Sequence, residues 1–219
     1  MSDRSRGRLV AWIVLVAAVS AIQFAGRFSG ARPEHDVLFR YDTAIGEAVF
    51  YGLILIVVLA ITAGLARRRL FALRPPVSWP RAAALALAVL VAVYVLSVGL
   101  DPVLHAGREQ GLTTSHWRPH RAGAFAANAA VFAVFGPAIE ELTFRGLGFR
   151  LLERFGHWTA IVLIGIAFGL WHGLVDAFPL LAAVGAGLAY VRSRTRSLYP
   201  CFALHAVFNG LALGLPFVR

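Results

Sequence analysis

The sequence predicts an all-α membrane protein, a bundle of about seven transmembrane helices, within a range of six to eight, around a polar cavity. The chain has 219 residues, of which 59% are hydrophobic and only 15% charged, and its mean hydropathy is +0.72. This composition is too apolar for an ordinary soluble domain. Long apolar runs repeat along the whole chain, and polar residues recur at helical spacing in or next to three of the last four runs.

Apolar runs of the length that a membrane helix requires, ~20 residues, recur from end to end. The candidate spans are 9–25, 46–65, 82–100, 123–144, 158–175, 178–191 and 200–217. The first could be a cleaved signal peptide, because three arginines precede it and Val19-Ser20-Ala21 resembles a cleavage site. An uncleaved anchor is favoured, since every later run also reads as a span. We therefore treat 1–219 as one integral membrane domain, with N-terminal spans (1–122) that carry no motif and a motif-bearing core (123–213).

Basic charge is confined to arginine, and it follows the loops between the apolar runs. All 21 basic residues are arginines, and the formal net charge is +10. Arginines concentrate in alternate loops, as expected where cytoplasmic loops are positive. This pattern predicts a cytoplasmic N-terminus, and the all-arginine composition favours a bacterial cytoplasmic membrane. The predicted partner of the basic loops is the lipid bilayer, and no nucleic-acid partner is predicted. Loop 101–121 departs from the rule, because Arg108, Arg118 and Arg121 fall on its predicted outer side.

The histidines of loop 101–121 and the cysteine Cys201 are candidates for metal binding or disulfide formation, but the sequence favours neither role. Loop 101–121 contains His105, His116 and His120, but their spacing matches no metal-ligand pattern, so a solvated loop is the favoured interpretation. Cys201 is the single cysteine of the chain, which excludes an intramolecular disulfide and a cysteine-based zinc cluster. We predict a packing role for it.

Polar residues inside or at the end of three of the last four apolar runs are the candidates for function, because ionisable groups within spans are costly and usually face the bundle interior. They are Glu140, Glu141, Arg145, His172, His205 and Asn209. Glu141 and Arg145 lie four residues apart, as do Phe168 and His172, and His205 and Asn209. Residues at this spacing share one helix face. Three helices therefore each direct a polar stripe at a common interior.

This set matches the requirements of amide hydrolysis by water. A carboxylate, alone or with a histidine, can act as general base, and histidine and asparagine can donate to an oxyanion. Arg145 would keep one carboxylate ionised, but the residues alone do not decide which carboxylate is catalytic. Taken singly, each residue also has a structural interpretation, such as an interhelical hydrogen bond or a charge cluster that ends a helix. The ordered set favours chemistry.

The ordered motifs Glu140-Glu141-x-x-x-Arg145, Phe168-x-x-x-His172 and His205-x-x-x-Asn209 resemble the CAAX protease and bacteriocin-processing family (CPBP or Abi; type II CAAX prenyl endopeptidase-like). The resemblance covers about residues 123 to 213. It implies an intramembrane protease in which Glu140, helped by His172, activates a water, and in which His205 and Asn209 form the oxyanion site. It also implies that Glu141 and Arg145 support these groups. We predict Glu140, Glu141, His172, His205 and Asn209 as the catalytic set, with Arg145 and Phe168 in supporting positions.

The resemblance leaves the cofactor and the function class partly open. No cofactor is expected, although zinc is an alternative with Glu140, His172 and His205 as candidate ligands. The predicted partner is a membrane-associated protein or peptide substrate. The competing functions are a non-catalytic membrane peptide-binding or immunity protein of the same fold, and an ion or proton transporter.

By simple span counting Glu140 and His205 lie near the cytoplasmic side, whereas His172 lies deep in the outward-going fifth helix. These residues can meet only if the fourth helix runs past Arg145 toward Phe149, or if the fifth helix begins later than residue 158. Gly146 and Gly148 could also allow a bend or a re-entrant turn.

Overall fold

The computed structural model describes residues 3–30, 36–104 and 117–214, and within these ranges every regular element is a helix. Each of the seven predicted apolar runs corresponds to one long helix. These helices are α1 (Asp3–Phe28), α2 (Tyr41–Ile61), α3 (Trp79–Leu104), α4 (Pro119–Phe155), α5 (His157–Trp171), α6 (Phe178–Thr195) and α7 (Tyr199–Gly214). A single turn, Arg67–Leu70, follows α2. The all-α prediction is confirmed for the described residues.

Four stretches of helix in the described part of the chain are long and apolar enough to cross a membrane. They are Arg4–Phe28, Tyr41–Ile61, Trp79–Leu100 and Pro119–Phe155. The helices α5 and α7 are apolar but shorter, and α6 carries Arg192 and Arg194 in its last turn. A membrane-spanning helical bundle is therefore supported, and the number of about seven spans stays a prediction.

The outward faces of the long helices are apolar. Ile22, Leu53 and Leu87 are each about 60% exposed, and continuous apolar surface of this kind is rare on a soluble monomer. The interior contains large aromatic side chains from three helices, Trp12 of α1, Phe144 of α4, and Phe168 and Trp171 of α5. Phe144 contacts Trp12, Phe168 and Trp171 edge to face, so α4 lies at the centre of the bundle.

Glycines let α5 and α6 approach closely. A Cβ atom on Gly165 would lie 2.7 Å from the Ala182 carbonyl oxygen, and one on Gly185 would lie 2.7 Å from Cβ of Phe168. Small residues at such crossings are typical of membrane helix pairs, where close backbone contact replaces the hydrophobic drive of water. This contact fixes Phe168 against α6.

The helix α4 runs without interruption past Arg145 to Phe155, and α5 begins at His157. The expectation of a long fourth helix is confirmed, and the alternative of a late start for α5 is wrong. Gly146 and Gly148 lie within this continuous helix and form no re-entrant turn. Gly148 is helical, with φ −58° and ψ −50°, and its missing side chain leaves room for Trp12, whose ring lies 2.5 Å from where a Cβ would stand.

Two segments of α4, Val131–Phe135 and Leu142–Gly148, adopt the wider π-helical turn. They flank the α-helical segment Gly136–Glu141, which carries the paired carboxylates. Such π segments are rare and occur frequently at functional sites. Carbonyls within both of them accept hydrogen bonds from side chains of other helices. The donors are Trp12 to Thr143, Arg192 to Arg145 and Asn209 to Phe132.

The arginine-bearing segments of alternate loops meet at one end of the bundle, as their charge pattern predicts. Arg8 donates to the Ile61 carbonyl at 3.1 Å, and Arg154 donates to Ser5 Oγ at 2.8 Å. Arg74, after α2, donates to the carbonyl of Arg196, after α6, at 2.9 Å. These segments therefore share one end of the bundle, and the assignment of that end to the cytoplasm stays a prediction.

Candidate active site

Glu141 is the fully buried member of the carboxylate pair. Its Oε1 accepts hydrogen bonds from Arg145 Nη1 at 3.0 Å and from His205 Nδ1 at 2.9 Å. Neither Glu141 nor Arg145 has any exposed side-chain surface. A buried carboxylate is costly unless a cation and hydrogen bonds compensate it. Here both act on Oε1, whereas Oε2 is buried without a hydrogen-bond partner. Glu141 therefore joins α4 to α7 through one of its two oxygens.

Glu140 has different partners on its two oxygens. Its Oε1 accepts a hydrogen bond from the Tyr51 hydroxyl of α2 at 2.8 Å, and its Oε2 lies 3.6 Å from His205 Nε2. The Glu140 side chain is 3% exposed. Arg145 bonds to Glu141 and not to Glu140. Glu140 Oε2 therefore faces His205 Nε2 at a distance slightly too long for a hydrogen bond.

Arg145 is held by three helices. Besides its bond to Glu141 on its own helix, its Nη2 donates to the Gly185 carbonyl of α6 at 3.0 Å. The guanidinium carbon also lies 4.4 Å from the centre of the Phe168 ring of α5. Cation–π contact of this kind is strongest where water is excluded. Arg145 therefore fixes the position of Glu141 relative to α5 and α6.

His205 lies between the two carboxylates, and its contacts indicate which ring nitrogen donates. An ionised carboxylate only accepts hydrogen bonds, so the contact with Glu141 places a proton on Nδ1. The Nε2 atom then faces Glu140. It is an acceptor in the neutral ring and a donor in the imidazolium form. Glu141 thus orients the imidazole as a carboxylate orients a metal-binding or catalytic histidine.

Phe168 connects the two histidines. His172 Nδ1 lies 2.7 Å from the Phe168 carbonyl oxygen, and the His172 ring centre lies 4.7 Å from the Phe168 ring centre. The Phe168 and His205 ring centres are 5.6 Å apart. A carbonyl only accepts, so Nδ1 of His172 carries a proton and Nε2 of the neutral ring is an acceptor. His172 ends α5 and is half-buried.

Asn209 reaches the backbone of α4. Its Nδ2 donates to the Phe132 carbonyl at 2.8 Å, and the local sequence explains why that carbonyl accepts it. The Gly136 N–H bonds to the Val131 carbonyl in the π register. In the same register Phe132 would pair with residue 137, which is proline and has no N–H. Asn209 satisfies this carbonyl and retains a second amide N–H.

Tyr51 is the site residue that the sequence did not reveal. It lies in an apolar run, where a lone tyrosine is indistinguishable from an interface residue. One signal was present. Glu47 is an ionisable residue inside the predicted second span, one helical turn before Tyr51, and it interacts electrostatically with both Tyr51 and Glu140. A carboxylate in a span indicates a polar interior, which would have identified this face of α2.

The described residues form no ready metal cage. Within residues 3–30, 36–104 and 117–214, no group of three histidine, cysteine or acidic side chains is arranged to hold a metal ion. His205, a candidate ligand, directs one nitrogen at Glu141, and His172 directs one at a backbone carbonyl. The alternative ligand set of Glu140, His172 and His205 therefore stays a prediction.

The other predicted candidates lie away from this cluster or outside the described residues. His105 and His116 fall outside the described residues. His120 is exposed in the short turn Pro119–Arg121 at the start of α4. Cys201 is fully buried, and its Sγ lies 3.5 Å from the Leu188 carbonyl oxygen, which agrees with a packing role.

The fold and the cluster together define a helical membrane protein with a buried carboxylate–histidine site. Residues 122–211 match the family model described as type II CAAX prenyl endopeptidase Rce1-like. This match confirms the resemblance inferred from the motifs, over nearly the same part of the chain. The matched segment includes every predicted site residue, whereas Tyr51 lies before it. No curated protein and no solved structure matches the chain.

Proposed function

We propose that this protein is an intramembrane endopeptidase that hydrolyses a peptide bond of a membrane-associated protein or peptide. The match to a protease family supports hydrolysis in general. The specific proposal rests on one observation: two adjacent carboxylates have different hydrogen-bond partners. Arg145 and His205 bind Glu141, while Glu140 Oε2 lies 3.6 Å from an imidazole nitrogen.

Glu140 is the general base in this proposal. It takes a proton from a water molecule as the water oxygen bonds to the carbonyl carbon of the scissile peptide. The resulting tetrahedral intermediate carries the negative charge on the former carbonyl oxygen. Glu140 then returns the proton to the amide nitrogen as the carbon–nitrogen bond breaks, which gives one carboxyl and one amine product. A positioned general base contributes roughly 10²–10⁴-fold to rate.

The histidines and the asparagine act on the same intermediate. His172 accepts through Nε2 and assists Glu140 in orienting the water. His205 in its imidazolium form, stabilised by the Glu141 carboxylate, donates from Nε2 to the oxyanion. The second amide N–H of Asn209 adds a donor. Preorganised donors of this kind account for about 10²-fold or more each in other hydrolases, and the bonds to Glu141 and Phe132 hold these two side chains in place.

Tyr51 is a positioning residue in this scheme. Its hydroxyl donates to Glu140 Oε1, so the carboxylate cannot rotate freely, and Oε2 becomes the basic oxygen. A hydrogen bond to an ionised group is worth about 1.5–3 kcal/mol. The reacting oxygen, Oε2, then faces His205 Nε2 of α7.

The test is direct detection of cleavage products. We would reconstitute the purified full-length protein in lipid nanodiscs, incubate it with a panel of membrane-anchored peptides and determine product masses. A mock preparation from cells lacking the protein controls for contaminating proteases. The proposal predicts new fragments whose masses sum to the peptide plus one water. Peptides that co-purify intact with the protein, with no fragment formed, would favour the competing peptide-binding function.

A further inference from the structure

A wide groove of about 1310 Å³ lies at the arginine-rich end of the bundle, apart from the carboxylate site. Three stretches of chain far apart in sequence form its walls, 65–77, 149–157 and 192–196. Its most distinctive feature is arginine. The arginines that line it are Arg68, Arg69, Arg74, Arg150, Arg192, Arg194 and Arg196.

The groove holds far more positive than negative charge. Its single lining carboxylate is Glu153, which already pairs with Arg150. Within the described ranges, the remaining groove arginines form no ion pair with a carboxylate. Clustered like charges repel each other, so a concentration of cations of this kind is stabilised when an anion binds between them.

Several groove arginines are held in place by the backbone. Arg192 is only 8% exposed, and its Nε donates to the Arg145 carbonyl at 3.2 Å while its guanidinium lies 5.6 Å from the Phe149 ring centre. Arg74 uses its Nε in the same way on the Arg196 carbonyl. A guanidinium has five N–H donors, so these contacts leave the terminal nitrogens for a ligand. The cations are therefore preorganised.

The groove also meets apolar surface. Val77 at its edge is 96% exposed, and the nearby Trp79 is 54% exposed. At 1.5 Å per residue, α4 is about 55 Å long, well beyond a hydrocarbon core of about 30 Å. Its end, with Arg150 and Glu153, therefore extends to the membrane surface on the side where the arginine loops gather. A ligand for this position has an anionic head and an apolar body.

We propose that the arginine groove binds the phosphate of an anionic phospholipid headgroup. Arg192 and Arg74 supply fixed donors, and the exposed Arg69 and Arg194 close over the phosphate from opposite walls. Arginine suits this role because its planar fork bonds two phosphate oxygens at once. The need for positive charge in cytoplasmic loops explains why arginines occur in these loops. It also brings these loops to the same end of the bundle. It does not explain the backbone hydrogen bonds that fix Arg192 and Arg74 around one cavity.

The test compares lipids of different charge on the full-length protein. The protein is held in nanodiscs of neutral phosphatidylcholine and titrated with short-chain phosphatidylglycerol, and bound lipid is counted by native mass spectrometry. Short-chain phosphatidylcholine is the matched neutral lipid. We expect saturable binding of phosphatidylglycerol at least tenfold tighter than that of phosphatidylcholine. Equal binding of the two lipids would overturn the proposal.

Variants locate the binding. Arg69→Gln combined with Arg194→Gln removes two exposed groove cations and is expected to weaken phosphatidylglycerol binding by about tenfold or more, as for lost charge-assisted hydrogen bonds. The control, Arg81→Gln with Arg121→Gln, removes the same charge outside the groove and is expected to leave binding within about twofold of wild type. Equal losses in both variants would refute a groove site. Arg194→Gln alone, with a smaller loss, serves if the double variant does not fold.

A further arm separates the headgroup from free phosphate. Inorganic phosphate at millimolar concentration is added during the phosphatidylglycerol titration. Because lipid binding also buries acyl chains, phosphate is expected to displace little bound lipid. Complete displacement would show that the groove takes free phosphate, and it would overturn the assignment to a lipid.

Discussion

Two neighbouring glutamates have opposite surroundings, and this difference is the chemical basis of the site. Glu141 is bonded to a buried arginine and to a histidine, so its position is fixed. Glu140, one residue earlier on the same helix, meets a tyrosine hydroxyl and the far side of the same histidine. Because successive helical residues point about 100° apart, adjacent acids can face different helices and serve different roles.

The first prediction concerns the Glu141–Arg145 pair. Arg145→Met leaves the Glu141 carboxylate buried without its cation, which costs about 3–5 kcal/mol in such pairs. We expect a marked fall in the thermal unfolding midpoint of the protein in detergent. The double variant Glu141→Gln with Arg145→Met removes both charges and should recover much of the loss. An Arg145→Met variant as stable as wild type would contradict a buried ion pair.

The second prediction concerns Tyr51. Tyr51→Phe keeps the ring and removes the hydroxyl that donates to Glu140, so it should lower kcat by roughly tenfold with little change in KM, given the energy of a hydrogen bond to a charged group. Tyr94→Phe is the matched control, because Tyr94 is exposed on α3. If both variants retain wild-type kcat, Tyr51 does not position the base.

At the scale of the helix, α4 organises the site through its irregular turns. Its two π segments flank the carboxylates, and their carbonyls bond to Trp12, Arg192 and Asn209 from three other helices. Pro137 contributes to this arrangement, because it has no N–H to donate to the Phe132 carbonyl. These bonds fix the orientation of the neighbouring helices relative to α4. As a result Glu140 faces α2 and Glu141 faces α7.

The third prediction tests the close contact between α1 and α4. A Cβ at Gly148 would lie 2.5 Å from the Trp12 ring, so Gly148→Ala should displace the indole and destabilise the protein by about 1–3 kcal/mol, as overpacking does. Gly26→Ala in α1 is the control, since nothing lies within 4 Å of its added Cβ. Thermal unfolding of both variants decides the matter. A neutral Gly148→Ala would show that α1 is free to move away from α4.

At the scale of the whole molecule, seven helices and three motifs were predictable because each depends on local sequence. Hydropathy marks the apolar runs, and helical spacing puts His205 and Asn209 on one face. The partners across helices were not predictable, because they depend on rotation and relative height. Tyr51 is the clear example, since no spacing within α2 relates it to Glu140, 89 positions along the chain. Nor does spacing reveal the π register that brings Asn209 to Phe132.

Two charged regions of the bundle carry the two proposals, and they are separate. The carboxylate site lies inside, among α2, α4, α5 and α7, and the arginine groove lies at one end. Arg192 stands between them, since it lines the groove and donates to the carbonyl of Arg145. The long apolar helices expose their outer faces to lipid. A substrate in the membrane is therefore the one that this architecture favours.

The role of Glu140 as general base is tested by the rate of peptide cleavage by the Glu140→Gln variant relative to wild type. Both proteins are reconstituted at equal folded concentration, and the substrate is the reporter that the wild type cleaves best. Glu140→Gln keeps the side-chain shape and can still accept from Tyr51, but it cannot take a proton from water. We expect a rate lower by roughly 10²–10⁴-fold. A rate within about twofold of wild type would contradict Glu140 as the base.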